Sequence, residues 1–305
     1  MATGPTGGPA DRAHAAPTVT LGTTPTRALN SSAPSCDPLA SAPPLTPLPA
    51  PDAMPTNSTM QRIVQRGKLI AAVDQNSYLW GYRDSATGNL EGFDVDLVHQ
   101  LSQALFGRPD QVVFRTVDLD QRFKALADGT VDIVADSITI TCDRKQQVAL
   151  STDYFDDGQR VLVRRGSGFN GLADLGGRTV CTVENTTAVP TLQQARPAVK
   201  ITLVPDVTSC LVLLQLGKAD AIVTNEHLLQ GLAAQDPDTT IVGPVLTSEP
   251  HGLAIAKSDD DFVSFTNAVL EQMRTDGAWQ QLYTKWMGRF GPAPQPPTPH
   301  YLPGA

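Results

Sequence analysis

No stretch of about 18 consecutive apolar residues occurs in this chain, so no membrane-spanning helix is expected. A basic cluster is missing as well. The chain carries 23 Lys and Arg against 31 Asp and Glu, a net charge of -8, which argues against nucleic acid or an anionic membrane surface as partner. The amino terminus has no basic region followed by an apolar stretch, so any export signal has been removed or was never there. GxSxG, HExxH and P-loop patterns are absent, and none of the five histidines has a metal-ligand partner at i+3 or i+4. No cofactor and no metal are therefore expected. No two of the four cysteines stand in a CxxC spacing, which removes the usual zinc motif.

What is present begins with those cysteines. Cys36, Cys142, Cys181 and Cys210 are even in number and dispersed, which favours disulfides, with three pairings open. Cys181 and Cys210 share one sequence region, Cys36 sits in a polar arm and Cys142 lies beside a candidate site, so Cys36–Cys142 and Cys181–Cys210 are expected. Such bridges imply an oxidising compartment outside the cytoplasm. Residues 1–58 are rich in Pro, Ala, Thr, Ser and Gly and cannot bury enough apolar area to offset the entropy of ordering. They read as a disordered tether, and residues 291–305 as a second Pro-rich tail.

Periodicity organises the rest. KLIAAV from Lys68 is a strand; Asp94 is a plausible N-cap for a helix whose Leu97, Leu101 and Leu105 form an apolar stripe ending at Gly107. Strand 111–117, helix 120–128 and strand 131–135 follow, a strand-helix alternation that builds a parallel sheet. The order then repeats over 178–223: ALADGTVDIV at 125–134 aligns with LLQLGKADAIV at 213–223, pairing Leu126 with Leu214, Gly129 with Gly217 and Asp132 with Asp220. Two similar lobes are implied, with extended crossings at 151–166 and 247–256 and two closing helices at 259–276 and 278–287. Glu226 and His227 read as surface helix residues. The expected division is lobe one at 59–153 and 250–290, and lobe two at 154–249.

The stretch VDIVADSITITCDR, residues 131–144, carries the chemistry. An apolar strand runs into alternating hydroxyls at Ser137, Thr139 and Thr141 and ends on Arg144. Ligands of open α/β sheets sit beyond the strands' carboxyl ends, and hydroxyls followed by a planar cation suit a small carboxylate. From these residues alone, a capped polar loop with a solvated Arg144 remains the other reading.

DQNSYLWGYRDSATGNLEGFDVDLVHQL, KALADGTVDIVADSITITCDRKQQVALSTDYFDDGQRVLV, TSEPHGLAIA and DGAWQQLYTKWMG together resemble the polar amino-acid-binding proteins of bacterial ABC importers, solute-binding family 3. More narrowly they resemble glutamine and glutamate/aspartate binding lipoproteins of actinobacteria. The resemblance spans about residues 62–290. It implies an α/β periplasmic-binding-protein type II fold: two α/β lobes joined by two hinge strands with a ligand cleft between them. An extracytoplasmic location, a lipid anchor in a segment absent from this chain, a monomer and no catalysis are implied with it.

The same resemblance assigns ligand positions. Ser137 and Thr139 match residues that hold the ligand's backbone groups, and Arg144 matches the arginine that clamps the α-carboxylate with a two-pronged fork. Trp80 lies in the aromatic stretch that covers the ligand. Arg122 falls where relatives preferring glutamate or aspartate carry a side-chain reader. Thr186 and Thr187 match a hydroxyl loop at a helix start. Asn225 departs from the usual aspartate that accepts the α-ammonium, so Asp136 or Asp74 is expected to supply that charge; Asp136 has the alternative of pairing with Arg122 or Arg144. The implied function is capture of a polar L-amino acid, glutamate or aspartate first and asparagine or glutamine next, for a membrane ABC permease. A sensor signalling to a membrane partner, and a cyclohexadienyl or arogenate dehydratase-type lyase, are the alternatives.

Overall fold

The computed structural model describes residues 1, 4 and 36–303, so most of the expected tether lies outside the described residues. From there the elements run α1 (Thr59–Arg66), β1 (Leu69–Val73), β2 (Asn76–Ser77), β3 (Gly81–Arg83), β4 (Leu90–Glu91), α2 (Phe93–Phe106), β5 (Val112–Thr116), α3 (Arg122–Ala127), β6 (Ile133–Thr139), α4 (Cys142–Gln147) and β7 (Ala149–Leu150). The second half continues with β8 (Gln159–Arg164), β9 (Thr179–Val183), α5 (Ala188–Gln194), β10 (Lys200–Val204), α6 (Val207–Gln215), β11 (Ala221–Asn225), α7 (Glu226–Gln235) and β12 (Thr239–Val242). It closes with β13 (His251–Ile255), α8 (Asp260–Asp276) and α9 (Ala278–Met287).

Two five-stranded sheets result, ordered β5-β1-β6-β13-β7 and β10-β9-β11-β8-β12. In each, the first strand of the repeat is flanked by parallel neighbours, β5 and β6 on β1, β10 and β11 on β9. Each sheet then takes one antiparallel strand that follows a crossing: β8 against β11 and β13 against β6. The repeated motif explains the likeness. Asp132 accepts from Ile70 N and Asp220 from Thr179 N, each at 2.8 Å, so each acid pins the start of its lobe's first strand. Gly129 and Gly217 take φ +65° and +67°, a left-handed turn that glycine enters without a Cβ clash.

The two crossings pair with each other. Tyr154 N donates to His251 O at 2.8 Å and His251 N to Phe155 O at 2.9 Å. Side chains around this joint are buried aromatics. Trp80 and Phe93 stack at 4.7 Å, Phe155 packs edge-on against Trp80, and Trp279 Nε1 donates to Tyr154 O at 2.7 Å.

Residues 36–58 differ from the structureless tether that their composition suggests. Cys36 is bridged to Cys142, Ser41 pairs with Tyr301 as a short parallel bridge, and Leu45 N donates to Ser264 O at 2.9 Å. Ala42, Leu45, Leu48 and Met54 pack against the first lobe's core. Composition misleads here because a few apolar side chains and a covalent bridge offset the ordering entropy that a free arm would keep.

Cys181 in β9 and Cys210 in α6 are bridged and fully buried, enclosing a loop of separation 29. Removing such a bridge frees unfolded-chain entropy of about 3–4 kcal/mol. The Cys181→Ala/Cys210→Ala protein is expected to unfold at correspondingly lower denaturant concentration, with a slope at least as steep because the uncrosslinked unfolded chain exposes more surface, measured by circular dichroism in urea. An unchanged midpoint would show that the bridge contributes nothing to the second lobe.

Candidate functional site

A cavity of about 210 Å³ lies between the sheets, lined by the ends of β6 and β11 and the loops beside them. All ten residues assigned from the sequence line it: Asp74, Trp80, Arg122, Asp136, Ser137, Thr139, Arg144, Thr186, Thr187 and Asn225. Both lobes meet around it. Thr208 Oγ1 donates to Asn76 O at 2.8 Å, His227 rests on Trp80 at 3.9 Å, and Leu119 packs with the second lobe's core. The cleft is closed.

Arg144 stands early in α4, where Thr141 caps the helix by accepting from Arg144 N. Its Nη1 donates to Thr139 O at 2.7 Å, which turns the guanidinium back over the end of β6. Among the described residues it forms no ion pair. Burial pulls its pKa down to about 10, aided by the nearby Arg122 cation and opposed by Glu249 and Asp136. A half-compensated, largely buried cation favours an anionic ligand group.

Arg122 is 4% exposed and bonds Asp136 Oδ2 at 2.9 Å. Of the options left open for Asp136, the pairing with Arg122 is the one observed. Arg122 Nε is buried without a partner and remains available as a donor. Asp74 accepts from the backbone N–H groups of Gln75 and Asn76 and from Ser77 Oγ, yet burial, with Asp136 nearby, raises its pKa to about 6.

The second lobe's wall differs from its expected form. Thr186 Oγ1 donates to Val183 O at 2.7 Å and Thr187 Oγ1 to Glu249 Oε2 at 2.8 Å; neither hydroxyl caps α5. Asn225 ends β11 with its Nδ2 on His251 Nε2 at 2.8 Å. Burial, with His227 and Arg144 close by, holds the His251 pKa well below its ordinary value, so the ring is neutral. Trp80 is both cavity wall and core, at 1% exposure.

Several residues escaped the sequence reading. Asp94 is not an N-cap: Gly92 caps α2, and Asp94 is 2% exposed. Its carboxylate accepts from Ser137 N at 2.9 Å, Ser137 Oγ at 3.3 Å and Tyr154 Oη at 2.6 Å. The signal was available, since Asp94 shares the i, i+3, i+7, i+11 stripe of Leu97, Leu101 and Leu105, where an acid is out of place unless bonded. His227, expected on the surface, is 1% exposed and its Nδ1 meets Asp157. Glu249 accepts from Gln159, Thr187 and Thr247. Asp157, His227 and His251 each bring a ligand-capable atom within 4.8 Å of the others, a convergence that no local spacing announces.

Two mixed sheets, two crossings and a polar cleft between them define a two-lobed solute-binding protein of the periplasmic type II class. The chain belongs to the bacterial extracellular solute-binding proteins, family 3, whose model matches residues 69–289. It is 29% identical over 230 residues to the ABC transporter glutamine-binding protein GlnH of Bacillus subtilis, covering 75% of this chain and 84% of that one. It is 32% identical over 212 residues to the glutamine-binding protein of Geobacillus stearothermophilus, covering 69% and 81%. A crystal structure of a mutant of ArgBP from T. maritima superposes with TM-score 0.70 at 31% identity, covering 75% of this chain and 99% of that one. The chain is accordingly an extracytoplasmic binding protein and not an enzyme.

Burial raises the Asp94 pKa to about 7, well above its value in an unfolded chain. Because the folded form holds this proton more tightly, the contribution is full below about pH 4 and is lost as pH rises through about 7. The thermal midpoint of the ligand-free protein is expected to decline between pH 5 and 8, with a shallower decline in Asp94→Asn. Equal slopes in the two proteins, read by scanning calorimetry, would show that Asp94 does not hold the proton.

Proposed function

We propose that the cleft captures a polar L-amino acid whose side chain ends in an oxygen acceptor, and that the closed form delivers it to a membrane ABC permease. The observation that carries this reading is Arg144, a largely buried guanidinium with no carboxylate partner among the described residues, facing hydroxyls from both lobes inside the cavity. In this reading the α-carboxylate forks onto Arg144 beside Ser137 and Thr139. The α-ammonium meets Asp74, helped by Asn225 Oδ1, because Asp136 is committed to Arg122. Trp80 covers the aliphatic stem, and Thr186 and Thr187 approach from the second lobe.

The ligand's side chain extends toward the free Arg122 Nε. Acids and amides both offer an oxygen there. Asp136 offsets the added charge of an acid, which removes much of the reason for ranking glutamate and aspartate ahead of glutamine and asparagine. The names of the two glutamine-binding relatives support the amide side of this range. Affinities for acid and amide are expected to lie within about tenfold of each other, a difference of about 1.4 kcal/mol.

A calorimetric comparison tests the pose. Arg144→Ala is expected to weaken binding of L-glutamine and L-glutamate more than a hundredfold with the circular dichroism spectrum unchanged, and retained affinity would remove the clamp. Arg122→Gln is expected to weaken L-glutamate and L-aspartate severalfold more than their amides. Equal losses for both classes would show that Arg122 does not read the side chain.

A further inference from the structure

Three side chains form a polar chain through the closed interface. Asp157 lies in the outward crossing, His227 opens α7 in the second lobe, and Ser137 belongs to β6 in the first. The Asp157 carboxylate meets His227 Nδ1 and also accepts the His227 backbone N–H at 3.2 Å, so one acid sets both the ring and its backbone. Nε2 is then presented to Ser137 Oγ at 3.1 Å. Neither Asp157 nor His227 lines the cavity, whereas Ser137 does.

Ser137 is held from its own lobe as well. It takes φ +43°, a left-handed conformation unusual for serine, with its N–H on the buried Asp94 and its hydroxyl, whose one proton lies between them, 3.3 Å from Asp94 Oδ2 and 3.1 Å from His227 Nε2. The two grips on Ser137 thus come from opposite lobes, and the one from His227 exists only when the lobes meet. Trp80 packs against the same ring at 3.9 Å, which fixes its tilt.

We propose that His227, oriented by Asp157, is a positioning residue that latches the closed cleft onto Ser137, so that ligand residence depends on side chains that do not touch the ligand. This rests on the reading of the cavity as an amino-acid site. The connectivity is also that of a Ser-His-Asp nucleophile, but acyl transfer turns backbone N–H groups beside the nucleophile toward a developing oxyanion. The Ser137 N–H is bound to Asp94 instead, so the backbone donor beside the hydroxyl is not turned toward an oxyanion. A mechanical use fits that geometry. Breaking one buried hydrogen bond of this kind corresponds to about tenfold in an equilibrium constant.

Stopped-flow tryptophan fluorescence of the full chain, with L-glutamine and L-glutamate as probes, tests the latch. His227→Phe keeps the ring against Trp80 and removes both bonds; it is expected to raise the off-rate about tenfold and leave the on-rate within about twofold. Asp157→Asn, a smaller change that preserves shape, is expected to raise it severalfold, and serves if His227→Phe does not fold. In a cycle with Ser137→Ala, the double variant is expected to release ligand no faster than about twice the faster single variant; independent, multiplying losses overturn the latch. Unchanged off-rates in His227→Phe and Asp157→Asn overturn it alone, while a wild-type chain that binds neither probe overturns it together with the amino-acid reading. An off-rate that responds to EDTA or added zinc would assign Asp157, His227 and His251 to a cation and overturn it, as would release of ammonia from L-glutamine.

Discussion

The carboxyl group of Asp94 joins by polar bonds three parts of the molecule that also share one apolar core. It rises from the first turn of α2, takes the Ser137 backbone and hydroxyl at the end of β6, and takes the Tyr154 hydroxyl at the start of the outward crossing. A buried acid is tolerated only with such donors, because an unbonded one costs several kcal/mol. The same bonds hold Ser137 in its left-handed conformation. Asp136, bonded to Arg122, lines the cavity together with Ser137 and Thr139. Helix, ligand strand and hinge are thereby tied to a single group.

Around that anchor the cavity handles its two arginines differently. Arg122 has a carboxylate at 2.9 Å on Nη1 and keeps its buried Nε without a partner, so the pair is close to neutral. Arg144 is held by a carbonyl oxygen alone, which fixes its direction without cancelling its charge. Removing a cation from water without an anion is unfavourable, whereas a carboxylate arriving with two parallel N–H bonds restores the balance. In the proposed pose this asymmetry orients a zwitterion, its carboxylate toward Arg144 and its ammonium toward Asp74, whose pKa burial raises to about 6.

Much of this was legible before any coordinates. The pairing of Asp132 with Asp220 and of Gly129 with Gly217 announced a repeated lobe, because the same turn and the same strand-pinning acid are needed wherever the unit recurs. The hydroxyls and Arg144 at the end of β6 followed from strand chemistry, and the family resemblance supplied their roles. Asp94 was misread because Asp is a common N-cap, and the glycine that does the capping is silent in composition. His227 and Asp157 were hidden for a different reason. They lie 70 residues apart and meet only through the fold, so neither period nor spacing carries them. The arm at 36–58 was hidden by composition, which registers prolines and small residues but not where a few leucines land.

Closure sets a limit on how strongly the lobes can bind one another directly. A ligand shifts the open and closed populations only by its differential affinity for them, so a cleft that is firmly shut without ligand would gain nothing from capture. Among the described residues the polar side-chain contacts across this interface are accordingly few: Thr208 on Asn76, His227 on Ser137 and Asn225 on His251, with the Trp80 face as apolar backing. Each hydrogen bond contributes about 1 kcal/mol net, whereas micromolar capture requires about 8 kcal/mol. Most of that difference must come from groups that both lobes direct inward. The direct contacts then serve to choose the geometry in which the lobes meet, and the cavity, with its uncompensated Arg144, supplies the reason for them to do so.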